Sequence, residues 1–505
     1  MRRMRSIVTP LALALVLATG SAWADKANDT LTWSSLAEPP NISYYANTQR
    51  DGLILAAHIW DGLVYRDERT GEFKPHVAKA IHHPSPALIE IELRDDVLFH
   101  NGDKLTAEDV AWTLNFFNST EGRNIAPTRT SWIERAEVVA PDRVRLHLPR
   151  PFPAAMAFLA SVMPIYPKAY YLRLGHAGFA KAPVGTGPYQ VHEIIPGKHI
   201  VLKRFAGYFG GAKGKASIAT LIYRPIVDRN AQIDEVLAGK VEWLWQFPVD
   251  QCERLKARKG IVVRGGETMR IAYLSFDAIG SASEHPLANR TVRQALAHAI
   301  DRQAIVRQYK PPGAEVVDLA CYPGQFGCAS PGAPVYDFEP EKARRLLAKA
   351  GFPNGFTVDF YGSRDRPVME AIATYLKNVG VSTRLHWVTA SELRQKRRLG
   401  QAPLALASWG SSGIPDGAAI LGVFFNGSID DRAQDARLSE LVDGGETGTD
   451  MAQRRQAYAA ALGIVATQIY WLPLYADAHY YAHVDQLDFT PSADEVPRFF
   501  NARWK

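Results

Sequence analysis

The sequence predicts an α/β protein of two or three domains built on open, partly parallel sheets. Two observations carry that prediction. Between Phe356 and Ser408, short apolar runs alternate with amphipathic helical patterns across short connections, which reads as a β–α–β–α–β unit. The chain has 505 residues, of which 47% are hydrophobic. That is more than one core accommodates and ample for several.

Residues 1–24 read as a removable export signal. Arg2, Arg3 and Arg5 precede the apolar run Leu11 to Ala18, and Ala22-Trp23-Ala24 has the small-x-small form of a cleavage site. The run is shorter than the roughly 20 residues that span a bilayer, and no later stretch is long and apolar enough. No cysteine follows it to carry a lipid. The mature chain is expected to begin near Asp25, exported and soluble. Removing the signal takes three arginines from the formal net charge of +6, leaving +3. So balanced a chain gives no electrostatic case for nucleic acid or for an anionic membrane.

Leu31 to Leu36 reads as the first strand. It opens into a proline-broken loop, Ala37 to Tyr45, that ends on Tyr44 and Tyr45. Leu53, Ala56, Ala57 and Trp60 then form a helical stripe that stops at Gly62. Leu88 to Leu93 is a strand with alternating apolar and acidic residues. Thr106 and Asp109 have the spacing of a capping box ahead of Val110, Leu114 and Phe117. Val138 to Leu148 reads as a hairpin around Pro141-Asp142. Pro183 to Tyr189 is rigid and turn-rich and reads as a domain crossing.

Ile218 to Arg224, Arg229 to Ala238 and Val241 to Trp245 read as strand, helix and strand. Tyr273 to Phe276 reads as a further short strand, with a second crossing near Phe276. A polar loop at Gly280 to Glu284 then leads into a strong helix carrying Val292, Leu296, Ala299 and Ile300. The β–α–β–α–β unit places strands at Phe356 to Tyr361, Ser382 to Val388 and Leu404 to Ser408, with helices at Arg366 to Val379 and Ser391 to Leu399. Such short connections require parallel strands and right-handed crossovers. Met451 to Thr467 reads as a helix and Tyr470 to Tyr475 as an aromatic strand. Cys321 and Cys328 bracket a Pro- and Gly-containing turn that suits a small disulfide loop in an oxidising compartment, leaving Cys252 buried and free.

The parallel unit has a functional consequence. Ligands of open parallel sheets bind beyond the carboxyl ends of the strands. Gly362 to Arg366 and Trp409 to Asp416 leave the sheet at the same edge. Arg364 offers a fork that matches a carboxylate. Trp409 offers a flat apolar wall, and Ser411 and Ser412 offer hydroxyls beside glycines that admit close approach. Tyr44, Tyr45, Tyr273 and Phe276 complete the expected aromatic wall. Catalytic machinery is missing. Gly410-Ser411-Ser412-Gly413 lacks the spacing of a nucleophile elbow, and no phosphate-binding loop occurs. His479 and His483 are four apart in what reads as an extended segment, so no metal site and no cofactor is expected.

Several segments together resemble the bacterial extracellular solute-binding proteins of dipeptide, oligopeptide and nickel ABC importers (family 5). They are Ile91 to Val97 with Phe99 to Gly102 and Leu105 to Val110, then Val184 to Tyr189, Val292 to Arg302, Pro340 to Phe352 and Leu472 to Tyr475. The resemblance implies a periplasmic-binding-protein-like fold of class II, with two main lobes hinged around a cleft plus a smaller extra domain. Lobe I would comprise 25–60, 180–272 and 478–505, lobe II 61–179, and lobe III 273–477. It implies a periplasmic, non-enzymatic binder, expected as a monomer, that captures a peptide, a peptide-like compound or another small solute for an inner-membrane permease. Opines, sugar-containing compounds and nickel chelates are the non-peptide alternatives. A periplasmic hydrolase would need a histidine and a carboxylate brought to Ser408 or Ser411.

In the family's peptide binders an aspartate three residues after the cleft tryptophan anchors the ligand ammonium. Here Trp409 is followed at that spacing by Ser412, and the nearest carboxylate is Asp416. Arg364 matches the arginine that such binders use for a ligand carboxylate. The carboxylate half of a peptide site is therefore expected, while the ammonium half is left open.

Overall fold

The computed structural model describes residues 26–39, 41–45, 49–125, 130–161, 163–279 and 285–505. The expected signal segment lies outside them, as does the polar loop at 280–284. Ten strands form one continuous sheet. In chain order they are β1 (Thr30–Ser35), β2 (Tyr189–Ile195), β3 (His199–Arg204), β4 (Thr220–Pro225), β5 (Trp243–Trp245), β6 (Ile261–Phe276), β7 (Phe356–Gly362), β8 (Val381–Trp387), β9 (Leu404–Trp409) and β10 (Trp471–Val484). Across the sheet the order is β8-β7-β9-β6-β10-β5-β1-β4-β3-β2.

β7 pairs in parallel with both β8 and β9, as the β–α–β–α–β pattern requires. The crossover helix Arg366–Lys377 buries Val368, Met369, Ile372 and Leu376, one stripe at helical spacing. The second crossover, Ala390–Arg398, starts on Thr389, whose hydroxyl accepts from the Glu392 amide at 3.2 Å.

β6 and β10 run through the middle and belong to both halves of the sheet. The N-terminal part of β6 and the C-terminal part of β10 pair beside β5. Their other ends, from Ile271 and up to Ala476, pair beside β9. Between the two ladders the register slips, so that Thr268, Met269 and Arg270 stand opposite Asp477 alone. The bulge is held. Thr268 Oγ1 donates to Asp477 O (2.7 Å), and the Met269 amide donates to Ala493 O (2.7 Å). Bulges bend a strand and re-aim side chains, and this one turns Arg270 out of the ladder.

β6 is far longer than the strand expected at Tyr273 to Phe276. Gly265-Gly266 interrupt its strand pattern, yet they are needed there. A Cβ on Gly265 would lie 2.5 Å from Pro312 O, and one on Gly266 2.7 Å from the Tyr481 ring.

A separate four-stranded antiparallel sheet holds the strands Ala78–Ser85, Leu88–Leu93, Arg143–His147 and Arg135–Ala140 in that spatial order. The hairpin turns at Pro141-Asp142. The capping box forms at the helix Ala107–Asn118: the Thr106 amide donates to Asp109 Oδ2 (2.9 Å), and the Asp109 amide to Thr106 Oγ1 (3.4 Å). Two of the sequence segments singled out above lock onto each other. The His100 amide donates to Gly185 O (2.8 Å) and its ring lies 3.0 Å from Gly187 O. The helix Arg290–Ala299 has a structural role. Arg293 is buried and donates to four carbonyls, of Leu287, Ala288, Gln468 and Ile469. Among the described residues no helix is long and apolar enough to cross a membrane.

Candidate functional site

Arg364 follows β7 and precedes the helix at Arg366. Its neighbour Asp365 adopts a left-handed conformation (φ 54°) with no side-chain cap on the helix. The Asp365 carboxylate is drawn to Lys310 Nζ (3.1 Å), which also reaches Asp477 (3.2 Å). Arg364 is exposed, and no hydrogen bond or ion pair among the described residues holds its guanidinium. It is nonetheless in the field of an interior cluster. The charge of Arg270 is the largest influence and pushes its pKa down, with burial adding, while Glu495, Asp365 and Asp477 oppose. An unpaired guanidinium facing a second one is an arrangement that an anion stabilises.

Arg270, re-aimed by the bulge, binds Glu495 in a fork: Nε to Oε1 at 2.9 Å and Nη2 to Oε2 at 2.7 Å. Arg50 Nη2 reaches the same Oε2 at 2.7 Å, and His479 Nε2 lies 2.6 Å from Oε1. Glu495 is 1% exposed. Burial alone would raise its pKa, but Arg270, Arg50 and then His479 hold its carboxyl well below the ordinary range. Arg270 Nη1 also donates to Ser408 Oγ (3.2 Å), tying the cluster to the end of β9.

The loop after β9 closes over this cluster. A Cβ on Gly410 would come within 2.9 Å of Glu495 Oε2 and 3.1 Å of both Arg270 and Arg50, so only glycine fits without displacing a charged group. Trp409 Nε1 donates to Ala419 O (2.8 Å) and its ring meets Phe424 edge-on. Ser411 and Ser412 are left-handed (φ 49° and 52°). Ser411 is buried and its Oγ makes no hydrogen bond among the described residues. Ser412 and Gly413 line a cavity of about 100 Å³ on the side facing Tyr44 and Asp494.

The expected residues thus divide. Arg364, Trp409, Ser411 and Ser412 lie at the strand ends, with Arg364 and the loop both set against the Arg270–Glu495 cluster. Asp416 is committed to its own side of the fold: it is buried, pairs with Arg454 Nη2 at 2.8 Å and accepts from the Ala418 amide at 3.0 Å. Tyr45 stacks on Phe117 at 3.6 Å and donates to Pro164 O. Tyr44 donates to Ser161 O, with one edge left on the cavity. Tyr273 stacks on Trp471 at 3.5 Å, and Phe276 sits in the core beside β7 and β9. Tyr45, Tyr273 and Phe276 serve packing. Cys321 and Cys328 are disulfide-bonded and Cys252 is a buried free thiol.

Arg50, Arg270 and Glu495 were outside the sequence reading. Arg50 and Glu495 are 445 residues apart, and no local pattern marks them. Only His479 stood out, as half of a histidine pair. Its ring goes to Glu495, while His483 Nδ1 turns to the Val484 carbonyl (2.9 Å).

The model for bacterial extracellular solute-binding proteins, family 5 Middle, matches residues 72–431. The glutathione-binding protein GsiB of Salmonella typhimurium is 28% identical over 312 residues, 60% of this chain and 58% of that protein. The match thus spans little more than half of that relative. The GsiB protein of Shigella flexneri is 25% identical over 432 residues, 79% of each chain. A dipeptide-binding protein from a Pseudoalteromonas species, solved with Met-Leu, superposes with a TM-score of 0.83 at 22% identity, over 94% of this chain and all of that one. The fold is that of the class II periplasmic binding proteins, and the chain belongs to the bacterial extracellular solute-binding proteins of family 5.

Proposed function

We propose that this chain is a periplasmic binding component of an ABC importer that captures a carboxylate-bearing peptide or peptide-like solute between two lobes. The observation that carries the reading is Arg364: a guanidinium with no ion pair among the described residues, beyond a parallel strand and beside a cluster that already has its own carboxylate. The glutathione-binding relatives and the Met-Leu complex of the structural neighbour point to the same ligand class. Lobe I (25–60, 180–272, 478–505) and lobe III (273–477) close about the bulge at Thr268 to Arg270, with lobe II (61–179) alongside lobe I. The signal directs export and is cleaved near Ala24, and the closed form docks on an inner-membrane permease. The work is differential binding, with no catalytic step. A nucleophile needs a base within hydrogen-bond reach, and the Ser411 hydroxyl has no hydrogen-bond partner among the described residues.

A second reading, a non-peptide carboxylate such as an opine, a sugar-containing acid or a chelate, is favoured by one observation. Ser412 stands where an ammonium-binding aspartate would be expected, and Asp416 is spent on Arg454.

Denaturing natively purified protein and identifying the released compound by mass spectrometry separates these readings. Calorimetry with that compound then tests the site. Arg364→Ala is expected to weaken binding at least about tenfold, the loss of a hydrogen-bonded charge pair, with an unchanged melting temperature. Unaltered affinity removes Arg364 from the site and overturns the reading.

A further inference from the structure

The cavity behind Ser412 and Gly413 has a charge pattern that the Arg364 site does not explain. Four Lys and Arg side chains line it: Arg50, Arg66, Lys213 and Arg498. Three have carboxylate partners. Arg50 reaches Glu495 at 2.7 Å, Lys213 reaches Asp61 at 2.6 Å, and Arg498 reaches Asp494 at 2.9 Å. Arg66 has none among the described residues, and its Nε is buried without a hydrogen bond.

The consecutive acids Asp494 and Glu495 explain how this arises. Glu495 is left-handed (φ 60°), and the two carboxylates serve different sides. Glu495 faces Arg270, Arg50 and His479. Asp494 faces the cavity, where Arg498 takes both of its oxygens. Arg498 also pairs with Glu68. Asp494 and Glu68, the two carboxylates whose charge reaches Arg66, are thus both engaged by Arg498, as Glu495 is by Arg270 and Arg50 on the cleft side. Arg66 in the cavity and Arg364 on the cleft side are left without an ion pair among the described residues. The remaining walls are largely apolar, among them Leu53, Trp60, Val64, Met163 and Phe500. At about 100 Å³ the cavity is too small for a whole ligand, for which roughly 300 Å³ or more is usual. It suits one side-chain-sized arm with an apolar stem and an acidic tip.

We propose that this cavity is a subsite for an acidic arm of the ligand, and that Arg66 reads the charge at its tip. The inference rests on the cleft reading above. It narrows the solute to one with two separated acid groups, one for Arg364 and one for Arg66.

The test uses matched probes that differ only in that charge: Ala-Glu against Ala-Gln, and the N-(1-carboxyethyl) derivatives of glutamate and glutamine for the opine class. Dissociation constants are measured by calorimetry on the full mature chain. In the scaffold that binds, the glutamate member is expected to bind at least about tenfold tighter than its glutamine partner. In Arg66→Gln that ratio falls to within about twofold, and Arg66→Lys, which keeps the charge without the fork, retains part of it. Arg364→Gln instead weakens both members together, so failure at one arginine is distinguishable from failure at the other. An unchanged ratio in a folded Arg66→Gln protein overturns the subsite and leaves the Arg364 reading standing. Wild-type protein that binds the glutamine members but no glutamate member overturns the subsite alone, and wild-type protein that binds neither member of either scaffold overturns both.

Discussion

Replacing Glu495 by glutamine tests whether the ionic cluster under the Gly410 loop organises the cleft. The carboxylate accepts from Arg270 twice, from Arg50 once, and lies 2.6 Å from His479. Glutamine keeps one oxygen and turns an NH2 group toward at least one guanidinium. Glu495 is 1% exposed, and the side chains of Arg270 and Arg50 are 12% and 14% exposed, so water does little to screen the charges left behind. Breaking a buried pair of this kind costs about 3–5 kcal/mol. With an unfolding entropy near 2.1 cal/mol/K per residue over a mature chain of about 480 residues, roughly 1 kcal/mol corresponds to one degree. The melting temperature at pH 7 should fall by about 3–5 °C. Because the folded-state pKa of Glu495 is depressed, its stabilisation is present above about pH 4.3 and is lost as the pH falls below that. The gap between wild type and Glu495→Gln should therefore narrow by up to about 1.4 kcal/mol for each pH unit below 4.3. A decrease below 1 °C at pH 7, or a gap that does not narrow between pH 5 and pH 3, refutes the assignment of Glu495 as the buried counter-charge.

Two further outcomes follow from other parts of the fold. Thiol titration of denatured, unreduced protein should find one thiol, Cys252, and replacing Cys321 and Cys328 by serine should cost about 2–3 kcal/mol for so short a loop; three thiols contradict the pairing. Burial pushes the Glu446 carboxyl up to about 7 against the opposing charge of Arg150. The folded state then holds a proton that the unfolded state releases, and stability falls as pH rises from about 4.5 to 7. Glu446→Gln should remove that fall, raising the melting temperature by about 1–3 °C at pH 8 and hardly at pH 5; an equal shift at both pH values rules out the ionisation.

Regular structure was legible where local pattern and tertiary demand agree. The Phe356 to Ser408 unit could be read because its period switches from two to 3.6 at short intervals, and that reading alone put Arg364 and the Trp409 loop at one edge. β6 was mostly hidden, because Gly265 and Gly266 are there for close approach to Pro312 and Tyr481 and carry no strand signal. Tyr45, Tyr273 and Phe276 were marked for their aromatic character. Such character does not separate a ligand wall from a core, and the core took all three. Asp416 was marked for its nearness in sequence to Trp409, but burial required a counter-charge and Arg454 supplies it. The ionic centre itself joins residues from opposite ends of the chain, and no window of sequence contains it.

On the proposed cleft reading, the same centre would make closure depend on ligand. Arg270 sits on the bulge where the two halves of the sheet meet, and Arg364 projects from the half that carries β7. In the proposed cleft, closing the lobes moves these two guanidinium groups together, and their repulsion is already the largest influence on Arg364. Glu495 does not relieve it fully, because Arg270, Arg50 and His479 already occupy both its oxygens. An anionic group between Arg270 and Arg364 turns that repulsion into two attractions. It does so only in the closed state, and such a difference between states is what shifts a population. On that reading Arg364 would act twice, holding the ligand and disfavouring closure without it. A neutral residue at position 364 should leave the empty protein closing more readily while binding more weakly. Small-angle scattering of the unliganded Arg364→Ala protein should show a smaller radius of gyration than wild type, and an equal or larger one would separate closure from this charge.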